Sequence, residues 1–306
     1  MCGIIAAASN RNVGKLLVQG LHKMEYRGYD SAGIALHQTD QIAHLRTLGK
    51  VKLLEEKMIA EKPKSKLGIA HTRWATHGEP SEENAHPHMS NERVYIVHNG
   101  IIENYLDLKD FLKKEGYSFS SQTDSELIAH LLEYFLNKGN SMLDSMYLTK
   151  EKLNGAYAIA AIDKEDDQNI IIARSKSPLL IGIGTDEFLA ASDPLAIGQL
   201  TNEFIFLEDG DVAELSSETY TIFDESKKKV EREISQIDIS SQATSKGEYR
   251  HFMEKEIYEQ PEAILKTIDG RIGGDDVLDN IFGLGSSEIF EKVKRVQIVA
   301  CGTSLH

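Results

Sequence analysis

The feature that most restricts the fold of this chain is a series of short, largely apolar runs. They are CGIIAAA (2–8), AGIAL (32–36), LGIAHT (67–72), RVYIVH (93–98), GAYAIAAI (155–162), NIIIAR (169–174), LLIGIG (179–184), EFIFL (203–207) and TYTIF (219–223). A strand wetted on one face alternates apolar and polar residues, so a run without alternation is expected to be covered on both faces. Between the runs lie amphipathic helical patterns. Val13, Leu16, Leu17, Leu21 and Met24 recur at helical spacing after Asn12, which predicts a helix with one apolar stripe. TDSELIAHLLEYFL (123–136) opens with Thr123 and places Glu126 three residues on. That pattern predicts a capping box, a helix start near Thr123, and Asp124 in the first turn.

At 306 residues, one large domain plus a partial second, or two modest domains, is expected. The polar stretch from 224 onward, DESKKKVEREISQIDISSQATSKGEYR, marks a change of character. It divides the chain into 1–224, a linker with connecting helices over 225–290, and the start of a further domain over 291–306. Pro261 is expected to restart or kink the helical stretch it interrupts, and VKRVQIVACGTSLH reads as a strand running into a glycine–hydroxyl turn. With 34 basic against 48 acidic residues the net charge is −14, which argues against non-specific nucleic-acid or anionic-membrane binding. No run approaches the roughly 18 uninterrupted apolar residues of a membrane span. Neither a basic segment nor a long apolar one opens the chain, and two cysteines make no disulfide framework. The expected compartment is the cytoplasm.

Cys2 directly follows the starting methionine. Once Met1 is removed, this residue carries a thiol and an α-amine together. The amine, with a pKa of about 7.7–8.0, can take the thiol proton directly or through a water. Gly3 beside it would let a substrate approach closely. The ordinary alternative for a cysteine is a small buried hydrophobe. Residues 73–90 carry turn formers, charges and histidines without periodicity, as binding loops do. Five of eleven histidines lie between 71 and 98: His71, His77, His86, His88 and His98. Zinc is the weaker reading, because no His–x–x–x–His pair or companion cysteine is present. Arg73 offers the planar fork that grips a carboxylate, although a surface ion pair is the commoner fate of an arginine. In VHNGIIEN (97–104) a strand is expected to end at His98, with a tight turn at Asn99–Gly100. The Asn99 amide and the Gly100 N–H would then converge as an oxyanion hole. Asp124 can pair with an ammonium, or simply favour the start of its helix. Taken together these residues fit an α-amino acid: carboxylate on Arg73, ammonium on Asp124, side-chain carbonyl between Cys2 and the Asn99–Gly100 donors. Glutamine, losing ammonia, is the economical choice.

MCGII, YRGYDSAGIAL, GIAHTRWATHGEPSEENAHPH, VHNGIIEN and QTDSELIAHL resemble the glutaminase domain of class II glutamine amidotransferases. Within that class they are similar to the glutamine–fructose-6-phosphate aminotransferases, and GEYRHFMEKEIYEQP and VQIVACGTS extend the resemblance to the end of the chain. The resemblance implies an α+β N-terminal-nucleophile hydrolase fold, an αββα sandwich of two antiparallel sheets between helix layers. A linker and the first strand of a sugar-isomerase domain would follow it. It implies Cys2 as nucleophile, Asn99 and Gly100 as the oxyanion hole, and Arg73 and Asp124 on the glutamine carboxylate and amine, with Trp74, Thr76 and His77 shaping a closing loop. Thr303 and Ser304 would begin a sugar-phosphate loop. No cofactor or metal is implied. Ammonia would pass to fructose 6-phosphate for amino-sugar synthesis, in a longer parent protein expected to be a homodimer. Only the glutaminase half-reaction is expected from these residues, the alternative being a remnant that acts as a glutamine-binding or interaction module.

Overall fold

The computed structural model describes residues 2–74, 78–237, 249–268, 272–273, 276–277 and 286–297. They fall into two compact units, Met1–Ser245 and Lys246–His306.

In the first unit the strands are β1 (Gly3–Ser9), β2 (Ser31–His37), β3 (Ile42–Leu48), β4 (Leu67–Arg73), β5 (His88–Ser90), β6 (Val94–Ile102), β7 (Gly155–Asp163), β8 (Ile170–Ser175), β9 (Leu180–Gly184), β10 (Glu187–Ala191), β11 (Glu203–Phe206), β12 (Val212–Leu215), β13 (Tyr220–Phe223), β14 (Lys229–Val230) and β15 (Ile234–Gln236). The helices are α1 (Gly14–Met24), α2 (Val51–Glu61), α3 (Tyr105–Lys114), α4 (Glu126–Leu136) and α5 (Met142–Lys152). An eight-stranded sheet runs β15-β11-β9-β10-β1-β4-β2-β3 and a seven-stranded sheet runs β14-β13-β12-β8-β7-β6-β5. Their paired strands are antiparallel.

The runs without alternation are explained by this architecture. Ile4, Ala6 and Ala8 of β1 join Ala158, Ala160 and Ile162 of β7 in a core between the two sheets. The intervening Ile5 and Ala7 face outward, packing with Leu17, Leu21 and Met24 of α1 and with Val51 and Leu54 of α2. On the other sheet, Ile159 and Ala161 pack with Leu108, Leu112, Leu127, Leu131 and Met146 of α3, α4 and α5. Each central strand thus feeds one core with its even positions and another with its odd ones. The expected αββα sandwich is the fold observed. Burial on both faces arises here in antiparallel sheets because helices cover the outer side of each.

Three local expectations are corrected. Asn99–Gly100 is no turn, since β6 continues to Ile102 with Asn99 opposite Ala158 and Gly100 opposite Tyr157. α4 begins at Glu126, so Thr123 and Asp124 precede the helix. The Glu126 carboxylate instead accepts from the N–H groups of Ser120 and Ser121, upstream of the predicted cap. Gly3 is no open approach for substrate: a Cβ there would meet Met24 Sδ and Thr72 Oγ1, each at 2.8 Å.

In the second unit a helix, α6 (Phe252–Ile268), runs on through Pro261, and α7 spans Ser286–Lys292. Most of the strand expected over 296–301 lies outside the described residues, as do Thr303 and Ser304. Among the described residues no helix is long and apolar enough to cross a membrane.

Candidate active site

The antiparallel pairing of β1 with β4 and of β4 with β2 brings the start of the chain beside Arg73. Gly3 lies opposite Thr72, and Ser31 opposite Arg73. Cys2, the residue just before β1, is therefore placed where β4 ends. The Trp74 N–H donates to Cys2 Sγ at 3.2 Å, and the thiol donates back to the Trp74 carbonyl at 3.5 Å. Burial pushes the Cys2 thiol above its ordinary pKa, while the Trp74 N–H and the nearby Arg73 charge pull it back down. A thiol raised in this way is mostly protonated at neutral pH and needs a base in order to attack.

Arg73 is buried. Its guanidinium donates to the carbonyls of Gly78 at 3.0 Å and Glu79 at 3.3 Å, and pairs with Asp30 at 3.4 Å. The turn carrying those carbonyls is itself fastened, for Asn84 donates to the Glu79 carbonyl at 2.9 Å and to the Gln122 side chain at 3.2 Å. The Trp74 side chain is half-exposed and rests against Gly28 (φ +92), where a Cβ would lie 2.4 Å from the indole.

From the opposite sheet β6 contributes His98, Asn99 and Gly100. The Asn99 side-chain N–H donates to the Cys2 carbonyl at 3.3 Å, and its oxygen lies 2.9 Å from His71 Nε2. Gly100 has φ +140, and a Cβ there would sit 1.9 Å from the Ala156 carbonyl oxygen, so the strand admits only glycine. Asp124 accepts from the Ile102 N–H at 2.8 Å, which ties the segment before α4 to the end of β6. His98 Nδ1 lies 2.8 Å from Ser125 Oγ.

One small cavity of about 20 Å³ is lined by Cys2, Arg73, Trp74, His86, His98, Gly100, Thr123, Asp124 and Ser125. It has room for about one water or one carbonyl oxygen. The sequence-predicted residues Cys2, Arg73, Trp74, Gly100 and Asp124 share this cavity, and Asn99 touches it through Cys2. Thr76 and His77 lie outside the described residues.

Four of the buried histidines, His71, His86, His88 and His98, lie close together. His71 and His86 stack at 4.1 Å between centroids, and His86 meets His88 edge-on at 4.5 Å. Burial lowers the pKa of His71 to about 3 and of His88 to about 3, and holds His86 and His98 low as well. Among the described residues no group of three or more histidine, cysteine or acidic side chains is placed to hold a metal ion. Sequence reasoning singled out neither Asp30, which pairs with Arg73, nor His71 as the partner of Asn99. Both relationships depend on strand register, which no local pattern reveals.

Residues 71–199 match the family model described as a glutamine amidotransferase domain. Over 306 residues, the whole chain, the sequence is 50% identical to the glutamine–fructose-6-phosphate aminotransferase (isomerizing) of Shewanella oneidensis, of which it covers 50%. It is 49% identical over 305 residues, 99% of the chain, to the protein of that name from Vibrio parahaemolyticus, again covering 50% of it. The chain therefore spans about half the length of the curated relatives it matches. Two solved structures share the fold, each covering 78% of this chain and 50% of their own. They are the glutamine phosphoribosylpyrophosphate amidotransferase from B. subtilis complexed with ADP and GMP, with TM-score 0.60 and 23% identity, and an allosteric regulatory enzyme of purine biosynthesis, with TM-score 0.61 and 24% identity.

Proposed function

We propose, for a chain that is a homologue of the glutamine–fructose-6-phosphate aminotransferases and carries a glutamine amidotransferase domain, that residues 1–245 hydrolyse glutamine to glutamate and ammonia. The observation that carries this reading is the single cavity shared by Cys2, Arg73, Gly100 and Asp124, side by side with the Asn99 amide.

In this reading Met1 is removed and the freed α-amine of Cys2 takes the thiol proton. The amine supplies the base that the raised thiol pKa calls for. The Cys2 sulfur bonds to the glutamine side-chain carbonyl carbon as the C=O π pair moves to oxygen. A side-chain amide has two N–H bonds. Asn99 can thus keep one on the Cys2 carbonyl and turn the other, with the Gly100 N–H, to the new oxyanion. Collapse breaks the C–N bond, the α-ammonium protonates the departing nitrogen, and ammonia leaves a thioester that water hydrolyses. Arg73 takes the substrate carboxylate and Asp124 its ammonium, with Trp74, Thr76 and His77 closing over them.

The names of the relatives support the next step, in which the ammonia is delivered to fructose 6-phosphate in a longer protein; that this protein is a dimer of the cytoplasm is part of the same proposal. Thr303 and Ser304 would open its sugar-phosphate loop. The deciding experiment for the glutaminase is ammonia release from glutamine by the wild type and by Cys2→Ala. The wild type is expected to release ammonia, and the folded variant none. Release that survives the substitution removes Cys2 from the mechanism. Glutamine binding without release by the wild type would leave a binding module.

A further inference from the structure

Resting on the glutaminase reading above, we propose that His71 is a positioning residue that decides which end of the Asn99 amide faces the nucleophile. A carboxamide turned over by half a rotation keeps almost the same shape, so only its hydrogen-bond partners fix its polarity. At Asn99 there are two such partners, one from each direction. The Cys2 carbonyl, an obligate acceptor, lies 3.3 Å from Nδ2, and His71 Nε2 lies 2.9 Å from Oδ1.

His71 is fully buried, and burial lowers its pKa to about 3 in spite of the hydrogen bond to Asn99, which favours the charged ring. The ring is neutral at pH 7 and carries one hydrogen. Nδ1 makes no well-directed hydrogen bond, while the His98 backbone close to the ring pulls slightly towards the charged form. With the hydrogen on Nε2, the ring donates to Asn99 Oδ1 and the amide N–H groups face Cys2. With it on Nδ1, the bare Nε2 would accept from the Asn99 N–H groups. The amide oxygen would then oppose the Cys2 carbonyl, two acceptors face to face, and Asn99 would have no donor for an oxyanion.

His71 belongs to β4 and lies opposite Ile4 of β1, whereas Asn99 belongs to β6 of the other sheet. Their hydrogen bond crosses the sandwich from the strand beside Cys2 to the strand carrying the donors. The His86 ring, tilted by 35° against His71, holds it from behind.

The test measures glutamine hydrolysis and Cys2 reactivity in the full chain, alongside the nitrogen shifts of the His71 ring. His71→Ala is expected to lower kcat about 10²-fold while KM changes less than about threefold, at the lower end of the loss of an oxyanion donor. His71→Gln, whose amide can donate to Asn99 Oδ1, is expected to recover kcat to within about tenfold of wild type. Alkylation of Cys2 by iodoacetamide uses no oxyanion donor and is expected to proceed at the wild-type rate in both variants. The ¹⁵N shifts are expected to show hydrogen on Nε2 and a bare Nδ1 at pH 7. Wild-type kcat in His71→Ala overturns the proposal. So does equal loss in both variants with slowed alkylation, which would make His71 a fold residue, and so does a ring protonated on Nδ1. An unmutated protein that releases no ammonia breaks the glutaminase reading instead, and the nitrogen shifts still decide how His71 holds Asn99.

Discussion

The donor wall of the cavity, His98–Asn99–Gly100, sits inside a nine-residue strand paired with β7 from Val94 to Ile102. The Arg73 wall is made differently, from the end of β4 and a turn whose Gly78 and Glu79 carbonyls grip the guanidinium. Sheet register fixes the first wall, and side-chain hydrogen bonds fix the second. In the proposed mechanism oxyanion stabilisation tolerates little displacement, and its donors would come from the middle of a strand held by its ladder. In the same mechanism recognition of the substrate's charged end must allow entry and exit, and Arg73 sits at the end of β4, held by a turn, beside a half-exposed Trp74.

If that contrast is right, damage to the two walls differs in kind. The largest effect is expected from Gly100→Ala, whose Cβ would fall 1.9 Å from the Ala156 carbonyl. Separating β6 from β7 there should cost about 3 kcal/mol or more in denaturation and abolish glutamine hydrolysis. A variant with wild-type stability would show the donor wall to be soft. Next comes Asn99→Ala, expected to lower kcat by about 10²–10³ with KM nearly unchanged, since the N–H that would meet the oxyanion is lost together with the one on the Cys2 carbonyl. On the other wall Arg73→Lys should behave in the opposite way. KM for glutamine should rise about 10–100-fold with the smaller change in kcat, because a point charge replaces a fork. Equal effects on kcat and KM in all three variants would erase the distinction between the walls.

A separate effect, on stability rather than on turnover, concerns acid. Burial lowers the pKa of His44 to about 4, and of His71 and His88 to about 3, against about 6.5 in an unfolded chain. Above pH 6.5 these rings are neutral in both states and the linkage is absent. Below it the unfolded chain binds protons that the folded one refuses, so stability falls as pH drops from 6.5 towards 4. Urea midpoints between pH 7.5 and 4.5 should show the fall, and a reduced slope in His88→Gln would assign part of it to the cluster.

Much of the sandwich was legible because burial on both faces leaves a mark in the strand sequences, as in GIIAAAS and GAYAIAAID. β3 and β12 left weaker marks: IAHLRTL faces the core with only part of its residues, and VAEL is four residues long. The Asn99–Gly100 dipeptide carried a true turn preference that pairing with Ala158 and Tyr157 overrode, the positive φ of Gly100 being used inside a strand instead. Thr123 and Glu126 had the spacing of a capping box. The Glu126 carboxylate was taken by the Ser120 and Ser121 amides, while Thr123 lies 3.0 Å from His88 Nε2 through its hydroxyl. Cys2, Arg73, Asn99, Gly100 and Asp124 were individually readable as chemistry-bearing types. The hydrogen bonds that orient them, from Asp30 to Arg73 and from His71 to Asn99, arise from register between distant strands and leave no local pattern.

The most direct measurement is mass spectrometry of the full chain after incubation with a diazo-ketone analogue of glutamine, which alkylates a nucleophile only when seated as the substrate would be. A single adduct is expected on a peptide that begins at Cys2 with its amine free, suppressed by excess glutamine and missing from Cys2→Ser. An adduct on Cys301, or glutamine hydrolysis continuing in a protein that still carries Met1, would contradict the account.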